Sequence, residues 1–156
     1  MTGFTCDNVV SYQVVLASGS IVTASASQNS GLFVALKGGS NNFGIVTQIT
    51  YKTYKLSNIW AGSIIYDGST AAQNIQAFSN FIGASNFDTK ASLMQTFGFG
   101  QGQLIIVNQP IYAAGTVNPP ALAHFSAIQP QYENTMAITT LPAYAVVQDS
   151  SSPSGL

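Results

Sequence analysis

Seven consecutive residues, Gly38-Gly39-Ser40-Asn41-Asn42-Phe43-Gly44, hold three glycines and two asparagines between two apolar runs. Leu32 to Leu36 precedes them and Ile45-Val46 follows. Adjacent glycines permit positive φ and leave no side chain in the way. Successive backbone N–H groups can then converge on an anion. Asparagine tolerates left-handed geometry and offers both amide donors and acceptors. A neutral loop of this kind suits a ligand held by backbone contacts. The competing reading is a plain Gly/Asn turn between a helix and a strand, and spacing alone favours the turn.

Other chemistry-bearing residues are sparse. His124 is the only histidine, and general acid–base work needs a partner within reach, which the sequence does not suggest. Cys6 is the only cysteine, so neither an internal disulfide nor a cysteine cluster for a metal is possible, and it reads as a small buried side chain. Asp67, Asp88, Glu133 and Asp149 are scattered in expected turns, so no carboxylate pair or metal site is expected. Gly39 and Gly44 have the outer spacing of a P-loop, but Ile45 and Val46 stand where Lys and Ser/Thr are required. The G-x-G-x-x-G fingerprint is absent from this loop, so a Rossmann fold is not supported. Lys37 is either in reach of phosphates or simply solvated.

Charged residues make up only 6% of the 156, with no Arg at all, against about 25% in ordinary soluble domains. A net charge of −1 leaves no electrostatic footprint for nucleic acid or an anionic membrane. No apolar window of about 18 residues suggests a membrane-spanning helix. Met1 to Asp7 lack the basic start and apolar core of a signal peptide. A secreted origin stays open, without support from Cys6.

The elements that must position the glycine loop follow from periodicity. Val9–Leu16 and Ile21–Ala24 read as two strands joined by the turn Ala17-Ser18-Gly19-Ser20. Asn29 or Ser30 caps a short helix through Leu36, and Phe43–Tyr54 reads as one long strand. Ile59–Tyr66 is a further strand. Ala72, Ile75, Phe78, Phe81 and Ile82 fall near helical spacing. Ser92–Phe99 and Leu104–Tyr112 flank Gly100-Gln101-Gly102 as a hairpin. Pro119-Pro120 opens a helix through Ala127, and Met136–Thr140 is a last strand. Asp149–Leu156 reads as a tail without structure. Phe78, Phe81, Phe97, Phe99 and Tyr112 read as core rather than cavity lining. The fold class expected is α+β, with mixed or antiparallel sheets and few helices.

The run Asn29-Ser30-Gly31-Leu32-Phe33-Val34-Ala35-Leu36-Lys37-Gly38-Gly39-Ser40-Asn41-Asn42-Phe43-Gly44-Ile45-Val46-Thr47 resembles a family signature. It is that of the FAD-linked oxidoreductases related to vanillyl-alcohol oxidase and berberine-bridge enzyme, N-x-D-L-F-W-A-L-[KR]-G-G-[GS]-x-N-F-G-[IV]-V-T. Asp7-Asn8-Val9, leading into Gln13-Val14-Val15-Leu16-Ala17-Ser18-Gly19, is similar to the family's D-N-[VIL] triplet and the strand-turn that follows it. The resemblance implies that residues 1–56 are the C-terminal part of a PCMH-type FAD-binding domain. Residues 57–148 would be the opening of the substrate domain, with 149–156 a tail. It further implies that Asp7, Asn8, Val9, Gly38, Gly39, Ser40, Asn41, Asn42, Phe43, Gly44, Ile45 and Val46 face FAD. Its partners would be FAD and a small-molecule substrate, an alcohol, sugar or alkaloid, oxidised by hydride transfer to flavin. Val34 replaces the family's Trp, which implies weaker packing of the short helix. The family's flavin-attaching His and Cys, its catalytic Tyr and its C-terminal FAD-contacting segment have no counterpart here. The chain alone is therefore expected to be inactive and to hold FAD poorly. The alternative is a non-catalytic, self-associating module of the same fold.

Overall fold

A computed structural model describes residues 3–100 and 102–150. The chain divides into two compact units, Thr2–Lys55 and Leu56–Leu156. Both combine helices with antiparallel strands, which is the α+β class expected.

The first unit is a three-stranded antiparallel sheet in the order β2-β1-β3. Its strands are β1 (Val9–Val15), β2 (Ile21–Ser25) and β3 (Ile45–Tyr51). Helix α1 (Ser30–Leu36) lies on one face. Alternation along β1 turns Tyr12 and Val14 toward the helix, where they form a core with Val9, Ala24 and Phe33. The Tyr12 and Phe33 rings sit 5.9 Å apart, tilted by 55°. Asn29 occupies the N-cap of α1 in the left-handed conformation, yet its side chain does not cap the helix. Its amide instead donates to the Thr23 carbonyl at 2.8 Å, tying the helix start to β2. Val34 is 69% exposed, so its exchange for Trp does not weaken helix packing, which rests on Phe33. The long strand expected over Phe43–Tyr54 is shorter at both ends. Gly44 turns the chain before it, and after Tyr51 the Lys52 N–H bonds the carbonyl of Asn8, beyond the start of β1.

The second unit is built on the β6–β7 hairpin, β6 (Ala91–Gly100) against β7 (Gln103–Tyr112). The other side of β7 carries two shorter strands end to end, not the single strand Ile59–Tyr66 that periodicity suggests. β4 (Ile59–Ala61) pairs with Ile111 and Tyr112, and β5 (Ile64–Asp67) pairs with Ile105 to Asn108. The break falls opposite Pro110, which has no N–H to donate to a ladder. The third row breaks in step, into β8 (Gln131–Asn134) and β9 (Ala137–Thr139). Across the break the Ser63 N–H donates to Thr135 Oγ1 at 2.9 Å, and the Thr135 N–H to the Ser63 carbonyl at 2.9 Å.

Helices α2 (Ala71–Ile82) and α3 (Pro120–Ala127) cover one face of this sheet. The buried stripe of α2 is rotated from the one expected. Ile75 and Ile82 are more than half exposed, whereas Asn74 is fully buried. Hydrogen bonds explain the rotation. Asn74 Nδ2 donates to Thr70 Oγ1 at 3.0 Å, and Asn74 Oδ1 accepts from Asn108 Nδ2 at 2.8 Å. Phe78, Phe81 and Tyr112 pack on the core as expected, but Phe97 and Phe99 point to solvent. The Tyr66 hydroxyl, pushed up to about 12 by burial, donates to the Phe125 carbonyl at 2.8 Å and ties α3 to β5. A fourth helix, α4 (Leu141–Ser150), was not expected, and it includes Asp149 and Ser150 of the expected tail. The rest of that tail lies outside the described residues. Among the described residues no helix is long and apolar enough to cross a membrane.

Asp67 sets a pH signature on this unit. Hydrogen bonds from Ser69 and from the Tyr132 hydroxyl hold its carboxyl down at about 2. A depressed folded pKa stabilises the fold above the unfolded value of about 3.9, and the benefit is lost as pH falls toward 2. An NMR titration of the Asp67 carboxyl should therefore show a midpoint near 2, moving upward in Tyr132→Phe. A midpoint unmoved by that substitution would contradict the assignment to Tyr132.

Candidate functional site

The glycine-rich turn leaves α1 and enters β3 alongside the end of β1. Lys37 follows the helix with its Nζ 4.4 Å from the centroid of the Phe33 ring, a cation–π contact. Its charge is thus placed beside the helix rather than over the turn. The Gly39 N–H donates to the Ala35 carbonyl at 2.9 Å and ends the helical ladder. Two residues then flank Gly39 at positive φ, Gly38 at +146° and Ser40 at +58°. Asn42 closes the turn, its Nδ2 donating to the Gly39 carbonyl at 2.7 Å.

The glycines meet protein atoms more than open space. A Cβ on Gly39 would collide with the Ala35 carbonyl oxygen and the Phe43 ring. Gly44, at φ +140°, would place a Cβ 2.5 Å from the Val15 carbonyl oxygen and 2.8 Å from Val14 Cγ1. Gly44 therefore lets the turn lie directly on β1, and Gly39 lets Phe43 fold back beneath the helix end. Of the adjacent glycines, Gly38 takes the positive φ and Gly39 does not, and Gly44 takes it again at the end of the turn.

What the turn presents outward is a shallow concavity of about 740 Å³. Ser40 to Val46 form one side and Val15, Leu16 and Ala17 the other. Its chemistry is neutral. Ser40 and the two asparagine amides are exposed, beside exposed Phe43, Ile45 and Val46. No charged side chain lines it among the described residues. Such a surface offers amide, hydroxyl and apolar contacts without charge.

Asp7, Asn8 and Val9 lie elsewhere in the unit. They sit where a 3₁₀ turn (Thr5–Asn8) enters β1. Asn8 Oδ1 accepts from the Tyr54 hydroxyl at 2.6 Å, its Nδ2 donates to the Phe4 carbonyl at 3.0 Å, and Val9 is buried in the core. Register sets Val9 beside Tyr51 and Val15 beside Ile45, so the two groups mark opposite ends of β1. Six residues at about 3.3 Å each separate them by roughly 20 Å. Only an extended ligand would touch both.

A further concavity, which no motif in the sequence announces, lies within the other unit. α4 leans over the sheet face opposite α2 and α3, leaving about 470 Å³ beside Ser63, Gln109, Glu133 and Tyr144. Gln109 Nε2 donates to Gln148 Oε1 at 2.5 Å across this gap. Burial raises the Tyr144 hydroxyl above its ordinary range.

Comparison with known proteins gives relatives but no matching family model. The chain is 41% identical over 142 residues to Oligopeptidase PhomG' of Diaporthe leptostromiformis, covering 89% of this chain and 12% of that protein. It is 32% identical over 161 residues to FAD-dependent monooxygenase tpcD of Cochliobolus heterostrophus, covering 99% of this chain and 31% of the relative. Among solved structures, it superposes on 6-hydroxy-D-nicotine oxidase from Arthrobacter nicotinovorans with a TM-score of 0.83 at 16% identity, covering 99% of this chain and 35% of that one. The chain thus spans about a third or less of the length of these proteins.

Proposed function

Because this chain belongs to the FAD-linked oxidoreductases related to vanillyl-alcohol oxidase and berberine-bridge enzyme, we propose that it carries one part of their flavin cradle and the opening of their substrate domain. In this reading residues 1–56 are the C-terminal part of the FAD-binding domain and 57–148 the start of the substrate domain. The observation that carries it is the Gly38–Val46 turn, laid directly on β1 at Gly44 and presenting a neutral concavity of about 740 Å³. Bound FAD would supply hydride acceptance from an alcohol, sugar or alkaloid substrate. The chain's own task is positioning. The exposed side chains of Asn41 and Asn42 would offer polar contacts to the bound cofactor, while Phe43, Ile45 and Val46 would exclude water beside them. Asp7, Asn8 and Val9 would meet the far part of the same extended cofactor.

Half a cradle binds weakly, because the missing contacts would have offset the ordering of ligand and loop. Adding FAD to the isolated chain should therefore shift amide resonances of 38–46 and 7–9 without retention through gel filtration, and with no oxidase activity. Shifts confined to other residues would remove the assignment of the turn. A yellow protein with stoichiometric flavin after filtration would show that the chain is a complete binder.

A specific observation also favours self-association. All seven residues of β3 are exposed, Ile45 by 71%, and β3 is an edge strand. Reburying several hundred Å² of apolar surface at about 25 cal/mol per Å² gives roughly 10 kcal/mol of gross driving force. With few charges to oppose edge pairing, light scattering at about tens of micromolar should show a dimer or larger species. A compact monomer there would end this reading.

A further inference from the structure

A second recognition site lies between α2 and α3, and it stands apart from the flavin reading. The cavity there has a volume of about 510 Å³, within the range of small-molecule sites. Three phenylalanines form one corner of it. The Phe81 ring meets Phe87 edge-on, with centroids 5.3 Å apart and planes at 66°. It meets Phe125 in the same way at 5.9 Å and 77°. Phe87 is 46% exposed, so the corner opens to solvent rather than being sealed as core.

Next to this corner stands one fixed carboxylate. Asp88 Oδ1 accepts from the Lys90 N–H at 3.0 Å, and Oδ2 accepts from the Tyr112 hydroxyl at 2.9 Å. These bonds lower its pKa, so it is ionised at neutral pH. They also set its direction while leaving lone pairs free on both oxygens. The Lys90 charge also lowers the Asp88 pKa, but neither Lys nor Arg is among the described lining residues of the cavity. Asn80, Asn86 and His124 are the other polar residues of the wall. A plain turn cap explains the bonds of Asp88 but not the open aromatic corner beside it.

A ring face attracts a cation placed within about 6 Å of its centroid, and a nearby carboxylate adds direct attraction. Anions are disfavoured by the same carboxylate. We propose that the α2–α3 cavity binds a small organic ammonium carried on an apolar body, with Phe81 and Phe87 contacting the body and Asp88 the charge.

Phenethylammonium and its neutral counterpart 2-phenylethanol decide the matter on the full 156-residue chain, followed by NMR at about pH 7. The ammonium should give saturable shifts at Phe81, Phe87, Asp88 and His124, with about tenfold tighter binding than the alcohol. Raising salt from about 50 mM to about 500 mM should weaken the ammonium and not the alcohol. Asp88→Asn, which keeps an acceptor for the turn, should bring the two ligands to equal affinity. Equal binding to the native chain overturns the proposal, and so does an absence of shifts at these residues. Should Asp88→Asn fail to fold, the comparison on the native chain decides alone.

Discussion

Gly44→Ala should unfold the first unit. Two costs add at this position. A residue with a Cβ at φ +140° is strained by about 1–3 kcal/mol. The same Cβ would stand 2.5 Å from the Val15 carbonyl oxygen and 2.8 Å from Val14 Cγ1. Neither neighbour can withdraw. Val15 pairs with both Ile21 and Ile45, and Val14 is fully buried in the core beneath α1. Overpacking of this kind costs about 1–3 kcal/mol more. A combined loss of roughly 2–6 kcal/mol is comparable to all that so small a core supplies. Hydrogen exchange gives the readout, with the Val14 and Ile49 amides losing protection while Ile106 of the second unit serves as the internal reference. Retained protection at Val14 would mean that the turn can lift off β1, and that its concavity is not a fixed shape.

The same residue shows what could be read from the chain beforehand. A glycine between an Asn/Phe turn and a β-branched run signals backbone geometry that other residues refuse, and Gly44 has it. Which atoms make the glycine necessary could not be read, because Val14 and Val15 are about thirty residues away in sequence. Local patterns gave β1, β2, α1, the β6–β7 hairpin and α3 nearly to their ends. They failed where tertiary contacts decide. Pro110 breaks a strand to which it does not belong, and Asn74 turns α2 away from the stripe its apolar residues suggest. α4 is not marked in the sequence because its Ala and Val residues show no marked one-sided pattern. The loop chemistry was legible as neutral and amide-rich, whereas the roughly 20 Å between its two groups of residues emerges only from the register of β1 with β3.

The buried amides of the second unit carry the other large effect. Asn108 is fully buried in β7, and it joins α2 to the hairpin by donating to Asn74 Oδ1 at 2.8 Å and accepting from Gln95 Nε2 at 3.0 Å. Asn108→Leu keeps the branched outline of the side chain but takes from Asn74 Oδ1 its close donor, leaving only Gln95 Nε2 at 3.5 Å, in a site without solvent contact. An unsatisfied buried polar group costs about 1–3 kcal/mol, and the weakened Gln95 adds to it, so a loss of roughly 2–4 kcal/mol is expected in urea unfolding followed by Trp60 fluorescence. Asn74→Leu should cost about as much for the reciprocal reason, taking the acceptor from Asn108 Nδ2 and leaving Thr70 Oγ1 only its bond to the Asp67 carbonyl. The double substitution is the sharper measurement. With both partners apolar, the pair no longer holds mutually stranded groups, so its cost should fall below the sum of the two singles by about 1 kcal/mol or more. Additive losses would mean that each residue is held independently of the other, Asn74 by Thr70 and Gln95, Asn108 by Gln95. A deficit would show instead that the polar link between α2 and β7 acts as one unit, which is the reason α2 presents Asn74 inward and leaves Ile75 and Ile82 in solvent.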